Sequence, residues 1–468
     1  MRVALVHYHL RRGGVTRVMS VTARALRERG VEATLVGGEA PVPEQDVPCL
    51  VEPCLGYGCD ENPETLCERL VRQLGGAPDI WHIHNHTLGK NLALPRLVHH
   101  LAERGERLLL HLHDFAEDYR AANYRLLRGL AEDPRELQAY LYPVASHIRY
   151  ATLTRRDAEA LMQAGVPREC IQVLANPIQP ASERTVTFSG RRSGVFVYPV
   201  RAIRRKNIGE LLLWSAMARE GERFQVTLPP TSAVDVGPYE SWKQLAGELK
   251  LPVEFESGLA RSYDAILEEA EAIITTSIAE GFGLTFAEPC LAGKPLTGRN
   301  LPGVTRDLAM NGMRFGGLYD ALRVPLAWLD VDAVKAKVKR ALDGIYEAYE
   351  LPARPDTFER AWGAMVSEGG IDVGRLDEAM QARIIAGMVK DPAQAAAVRP
   401  ERLTLAEDEV AGNAAMVREH LNPSRYAEAV DAIYQQLAGA KPEPLTGARG
   451  RLLSTVFMQP ENLYLLRA

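Results

Sequence analysis

Ala279–Pro295 reads AEGFGLTFAEPCLAGKP, and just before it Glu271–Thr276 reads EAIITT. The upstream piece is β-branched and bounded by polar residues, the composition of a short buried strand. The downstream piece opens on a Gly-Phe-Gly turn and continues with helical spacing, so the local order is strand, glycine turn, helix. Open α/β sheets bind ligands at such places, outside the carboxyl ends of their strands. Gly281 and Gly283 let the backbone approach a ligand closely, and the amides of the Gly281–Leu284 turn, including that of Phe282, suit an anion. Glu280 precedes the helix and Glu288 lies about one turn inside it. The two carboxylates can therefore reach different parts of one ligand, although a helix cap and a solvated face residue would look the same.

Strand and helix signals alternate on both sides of this stretch. Strands are predicted at Arg2–His9, Glu32–Val36, Asp79–His84, Arg107–His113 and Tyr150–Thr154, with helices near Val15–Arg29, Asn91–Glu103 and Arg156–Ala164. After a Ser, Thr, Arg and Gly-rich linker at Ala181–Ser193 the alternation resumes. Strands at Gly194–Pro199, Phe224–Leu228 and Pro252–Phe255 flank helices at Asn207–Glu220 and Tyr239–Leu249. Such alternation predicts an α/β protein with parallel sheets covered on both faces. From Val331 to Leu421 helix formers dominate and strand signals are few. The expected organisation is a first domain over 1–185, a second over 190–440 with a helical insertion at about 331–421, and a segment 441–468 returning toward the first.

A chain of 468 residues exceeds one ordinary core, which favours two domains. A net charge of −5 argues against a general nucleic-acid binder. No apolar run reaches membrane-spanning length, and the N-terminus enters a strand instead of a signal-peptide core, so a cytoplasmic protein without a transmembrane segment is expected. The composition leaves the oligomeric state open. Four of the six cysteines, Cys49, Cys54, Cys59 and Cys67, crowd together without the C-x2-C pairs of a zinc site, so free thiols are expected.

Gly13-Gly14 ends a strand and opens a helix, where backbone N–H groups cradle a phosphate or carboxylate. Arg11, Arg12 and Arg17 add positive charge around it, which suits an anionic ligand, although arginines beside a loop are usually just solvated. Arg201 and Lys206, in VRAIRRKN, follow a strand in the ligand-crevice position, with Arg204 and Arg205 as rivals. Histidines collect at strand ends: His7 and His9, then His82, His84 and His86, then His111 and His113. Alternation puts His82 with His84, and His111 with His113, on common faces, so a zinc or iron site is the sharp alternative to packed, hydrogen-bonded rings.

Glu280 and Glu288, with seven residues between them across the glycine turn, resemble the E-x7-E signature of the retaining glycosyltransferases of the GT-B fold, family 4. The spacing of Arg201 and Lys206 is similar to that family's R-x4-K pair, Gly13-Gly14 to its glycine loop, and His113-Asp114 to its histidine at a strand end. The resemblance covers most of Arg2 to Val304 and the helix after Arg425, and leaves Val331–Leu421 unexplained. It implies two Rossmann-like domains facing across a cleft. It further implies that a hexosyl unit passes from a nucleotide-diphosphate sugar to an acceptor hydroxyl, with retention of configuration and without metal or other cofactor. Glu280 and His113 would orient the sugar, and Arg201, Lys206, Glu288 and the Gly281–Leu284 amides would hold the nucleotide. Gly13 and Gly14 would face phosphate or acceptor, and His84 and Asp114 are acceptor candidates. The partners implied are the nucleotide sugar and an acceptor that is an anionic small molecule or a glycan. A sugar phosphorylase on the same fold and a non-catalytic nucleotide-sugar-binding protein are the alternatives. The acceptor loops are read at Leu10–Gly14, Asn85–Lys90 and Phe115–Tyr124.

Overall fold

The computed structural model describes residues 1–11, 13–41, 46–179, 192–398 and 407–468. Arg12, and the linker read at 181–193 up to residue 191, lie outside the described residues. The chain divides into two compact units. The first comprises Met1–Gln179, Ile345–Pro352 and Leu421–Gln459, and the second Pro180–Gly344, Ala353–His420 and Pro460–Ala468. The helix Pro423–Gly439, which the sequence reading put in the second domain, thus belongs to the first.

The first unit is built on strands β1 Arg2–His7, β2 Glu32–Gly37, β3 Cys49–Val51, β4 Ile80–His84 and β5 Leu108–Leu112. A short β6, Pro143–Val144, is followed by β7 Ile148–Thr152 and β8 Ile171–Val173. The sheet order is β3-β2-β1-β4-β5-β7-β8, with every neighbouring pair parallel. All residues of β4 and β5 are buried, as strands covered on both faces must be. Helix Pro423–Gly439 closes one face. Its Tyr426, Val430, Ile433, Tyr434 and Leu437 recur at helical spacing and pack with Val3, Leu5 and Leu109. Asn422 caps it, accepting from the Arg425 amide at 2.9 Å, and Pro423 occupies the first turn where its missing N–H costs nothing.

The second unit carries β9 Val195–Arg201, β10 Arg223–Leu228, β11 Val253–Phe255, β12 Ala272–Thr275, β13 Leu296–Arg299 and β14 Leu318–Tyr319. Their order is β11-β10-β9-β12-β13-β14, again all parallel. In each sheet the strand order reverses once about a central pair: β1 and β4 in the first, β9 and β12 in the second. Those reversals are where open α/β sheets form ligand crevices.

The helical region expected after residue 331 is present, with Val331–Ala348, Thr357–Met365, Glu378–Lys390, Pro392–Val398 and Glu407–His420. It also contains a small antiparallel sheet of β15 Arg323–Pro325, β16 Val366–Ser367 and β17 Gly370–Asp372. Glu368 and Gly369, with φ of 53° and 74°, make the tight turn between β16 and β17. Sequence reading passed over this hairpin because its strands are too short to show a period. β17 delivers Asp372 to a fully buried ion network. Arg299, 1% exposed, donates to Glu210 at 2.8 Å and to Asp372 at 2.6 Å. The Tyr319 hydroxyl donates to Glu210 at 2.6 Å. Burial pushes the Glu210 carboxyl up, and Arg299 opposes that push.

Candidate active site

In the second unit the chain leaves β9 through the turn Arg204–Lys206 and leaves β12 through Thr276, Ser277 and Ile278. Backbone and hydroxyl hydrogen bonds tie these two exits together. The Ile278 amide donates to the Arg205 carbonyl at 2.9 Å, and Thr276 Oγ1 donates to the carbonyls of Lys206 and Asn207 at 3.0 and 3.1 Å. On this frame Lys206 Nζ pairs with Glu280 Oε1, side chains only 11% and 8% exposed. Ser277 Oγ donates to the same oxygen at 2.6 Å, and the Tyr198 hydroxyl lies 2.5 Å from Ser277 Oγ. Burial by itself would raise the Glu280 pKa. The charges of Lys206 and Arg205, helped by the hydrogen bonds, overcome that and hold it below its usual value, so Glu280 is an anion at neutral pH. Ser277 and Tyr198 escaped the sequence reading. The polar run Thr275-Thr276-Ser277 directly after a buried strand was their only signal.

Gly281–Leu284 follows as the expected turn. Gly283 has φ 75°, and a Cβ there would lie 2.8 Å from Val304 and 2.9 Å from Phe286, so both backbone conformation and packing require glycine. The helix after it is shorter than its sequence suggested. It spans Leu284–Ala287, and Pro289 turns the chain into a 3-10 segment, Pro289–Ala292, with Glu288 at the junction. Arg201 does not join the Lys206–Glu280 pair. It is exposed and donates to the Pro229 carbonyl at 3.0 Å. Arg204 is taken by Glu378 at 2.7 Å, which leaves Arg205 as the second cation acting on Glu280.

In the first unit Gly13 precedes the helix Gly14–Arg27 in extended conformation, φ −179°. Its first turn carries no acidic side chain, so the positive end of the helix is uncompensated there. A Cβ on Gly14 would meet nothing within 4 Å, and one on Gly13 only the Arg11 carbonyl at 3.8 Å. Neither glycine is demanded by fold or packing; together they leave bare backbone at the end of β1. Arg11 is paired with Glu39, and Arg17 donates to the Gln179 carbonyl at 3.1 Å.

The histidines form a buried stack across β4 and β5. His84 Nδ1 lies 2.9 Å from His113 Nε2, His82 Nε2 lies 3.2 Å from His111 Nδ1, and His82 Nδ1 lies 2.8 Å from the Tyr434 hydroxyl. Burial holds the His113 pKa down to about 4, with Asp114 opposing only in part, and pushes His84 well below its ordinary value. Both rings are neutral at pH 7 and act as hydrogen-bond partners. The Asn85 side chain accepts from the amides of His113 and Asp114 at 2.7 and 3.1 Å, fixing the chain where it leaves β5. Asp114 in turn pairs with Arg120 at 2.5 Å.

Ring nitrogens of His82, His84 and His111 all lie within 4.8 Å of one another. The rings are nearly parallel, 16° to 33° apart, which keeps their lone pairs side by side, whereas a tetrahedral ion draws its ligands toward one point. The second such group is Cys54, Cys59 and Glu61, and there Arg69 already holds Glu61 at 2.6 Å. All six cysteines are free. Among the described residues no helix is long and apolar enough to cross a membrane.

Residues 12–182 match the model of Glycosyltransferase Family 4. The chain is 26% identical over 378 residues to mannosylglucosyl-3-phosphoglycerate synthase of Petrotoga mobilis, covering 73% of this chain and 72% of that one. Its fold is similar to that of HepE of Anabaena, solved in complex with UDP and glucose, with TM-score 0.55 at 14% identity over 93% of this chain and 99% of that one. A glycosyltransferase of Rickettsia africae gives TM-score 0.53 at 13% identity, covering 94% and 99%. At these identities the two solved structures speak to the fold alone. With its two parallel sheets and these matches, the chain has the GT-B fold and is similar over its first unit to the family-4 glycosyltransferases.

Proposed function

We propose that the protein transfers a hexosyl unit from a nucleotide-diphosphate sugar to an acceptor hydroxyl, retaining the anomeric configuration and needing no metal. The reading is carried by the Lys206–Glu280 pair, a nearly buried cation and carboxylate at the strand-order reversal between β9 and β12. The departing nucleoside diphosphate gathers negative charge, which fixed cations stabilise without reorganising. Lys206 and Arg205 are those cations, and the Gly281–Leu284 turn adds bare backbone beside them. On arrival of the donor Lys206 turns its charge to the diphosphate, and Glu280 accepts from hydroxyls of the sugar. Glu288 takes the ribose hydroxyls. In the first unit the neutral His113 and His84 hydrogen-bond substrate hydroxyls, and Gly13-Gly14 admits a phosphate or carboxylate to bare amides. A phosphate oxygen of the donor accepts the acceptor's proton, so positioning and electrostatics supply most of the rate.

Related structures that hold UDP and UDP-glucose support a nucleotide sugar as donor. The Petrotoga relative, whose name gives a product containing phosphoglycerate, supports an anionic acceptor. Free thiols suit a reducing cytoplasm. The test is a thermal-shift panel of nucleotide sugars, because a ligand that binds the native state raises apparent stability. The active donor is then carried into a transfer assay with NMR assignment of the anomeric centre. A panel in which no nucleotide sugar stabilises the protein, or a product of inverted configuration, would overturn the reading.

A further inference from the structure

Three loops leave the carboxyl ends of β3, β4 and β5 in the first unit, and they are sewn to one another. The Gly58 amide donates to the Lys90 carbonyl at 2.9 Å, and Asn123 Nδ2 donates to the Leu88 carbonyl at 2.7 Å. Gly89 has φ 67°, and a Cβ there would sit 2.4 Å from the Asn123 carbonyl oxygen, so the approach of these two loops is fixed by the bare glycine. Tyr119 at φ 55° and the bond from the Arg120 amide to the Tyr349 hydroxyl at 2.5 Å set the third loop in place. The effect is to gather cations around one ring. The Lys90 ammonium lies 5.3 Å from the centroid of Tyr57, and the Arg11 guanidinium 5.9 Å from the same ring. The Tyr57 hydroxyl is 3.2 Å from His9 Nε2.

The cations are not equivalent. Arg11 has Glu39 and Arg120 has Asp114, but Lys90 has no ion pair among the described residues. It is half-buried, and burial together with the nearby Arg120 lowers its pKa, which Asp114 only partly offsets. A desolvated ammonium beside a second cation and without a counter-ion is an unfavourable arrangement that a bound anion relieves.

Building on the proposed transfer reaction, we infer that Lys90, with Tyr57 and Arg120, forms a subsite for an anionic group of the acceptor, a phosphate or a carboxylate. Tyr57 supplies a flat face for a sugar ring or carbon chain, Lys90 the unpaired charge, and Arg120 donors beside it. The charge that selects the acceptor therefore comes from the loops after β3, β4 and β5, and not from Arg11 or Arg17, which are already engaged.

The test uses the full chain and three probes: glucose, glucose 6-phosphate and glucuronate, titrated by calorimetry into wild type, Lys90→Met and Lys90→Arg. Wild type should bind an anionic probe at least about tenfold more tightly than glucose, Lys90→Met should lose that preference, and Lys90→Arg should keep most of it. Preference for glucose 6-phosphate over glucuronate would assign the subsite to phosphate, and the reverse to carboxylate. Equal binding of all three probes by wild type, absence of binding by any of them, or an anion preference that survives Lys90→Met would overturn the inference. UDP and GDP titrated into the same samples report on the second unit separately. Failure of both nucleotides with the anion preference intact would count against the transfer reaction and leave this subsite standing.

Discussion

Replacing Lys206 with Met keeps most of the side-chain volume and removes one charge from the centre of the second unit's site. Two effects follow, and they separate. In catalysis, losing one preorganised electrostatic partner of a developing charge costs about 2.7–4 kcal/mol of transition-state stabilisation, or roughly 10²- to 10³-fold in kcat. In stability, Glu280 stays at 8% side-chain exposure with Ser277 and Arg205 but without its closest counter-ion. The wild-type carboxyl has a folded pKa below its usual value, so its stabilising contribution is present at neutral pH and fades as pH falls through that folded value. In Lys206→Met burial wins, the folded pKa rises above the unfolded one, and the native state holds a proton that the unfolded state lacks. The variant should therefore be least stable, relative to wild type, at pH 8 and recover toward pH 5. Turnover with the donor found in the thermal-shift panel, and urea unfolding at both pH values, read the two effects. Turnover within about threefold of wild type, far inside the loss expected for a transition-state cation, would refute the role given to Lys206. A stability difference independent of pH would refute the account of Glu280.

Four further outcomes are expected. Arg299→Met leaves Glu210 and Asp372 buried without their cation and should destabilise the second unit by about 3–5 kcal/mol, read as an early transition in thermal unfolding. Gly14→Ala meets no atom within 4 Å, so it should fold with unchanged or slightly higher stability while transfer is impaired, and normal kinetics would return this glycine to a purely conformational role. The pKa values of His7 and His82 are held at about 3, and those of His86 and His113 at about 4, so they stay neutral in the native state while the unfolded chain takes up protons below about pH 6.5. Each should cost the first unit ~1.4 kcal/mol per pH unit between pH 6.5 and its folded pKa, and a melting temperature flat from pH 7.5 to 5.5 would contradict this. For the same reason no limb of the pH–rate profile between pH 5.5 and 8 should disappear in His113→Gln, although its rate should fall.

The parallel sheets were legible because their strands are apolar and regularly interrupted by helical spacing, and every strand predicted from Arg2 to Thr276 is present to within a few residues. What escaped were elements whose identity is tertiary. Cys49–Val51 is a strand only because it pairs with β2, and Val366–Asp372 a hairpin only because Asp372 is wanted by Arg299. At the candidate site, Lys206 and Glu280 were each legible because each follows a strand at the end where open sheets bind ligands, but their pairing and the adjacency of their strands emerge only in the structure. Arg201 could not be excluded in advance, since whether an arginine turns toward a crevice or toward the Pro229 carbonyl depends on a rotamer that no spacing reveals. Ser277 and Tyr198 are visible only as partners of something else.

The chain passes between its two units at 179/180, 344/345, 352/353, 420/421 and 459/460. A ribosome that has released the first 180 residues has therefore made a sheet whose face, around Val3, Leu5 and Leu109, still waits for Tyr426, Val430 and Tyr434. Until Pro423–Gly439 has been translated that apolar face is open to other nascent chains and to chaperones. A fragment ending at residue 420 should for that reason aggregate, even though it contains every strand of both parallel sheets.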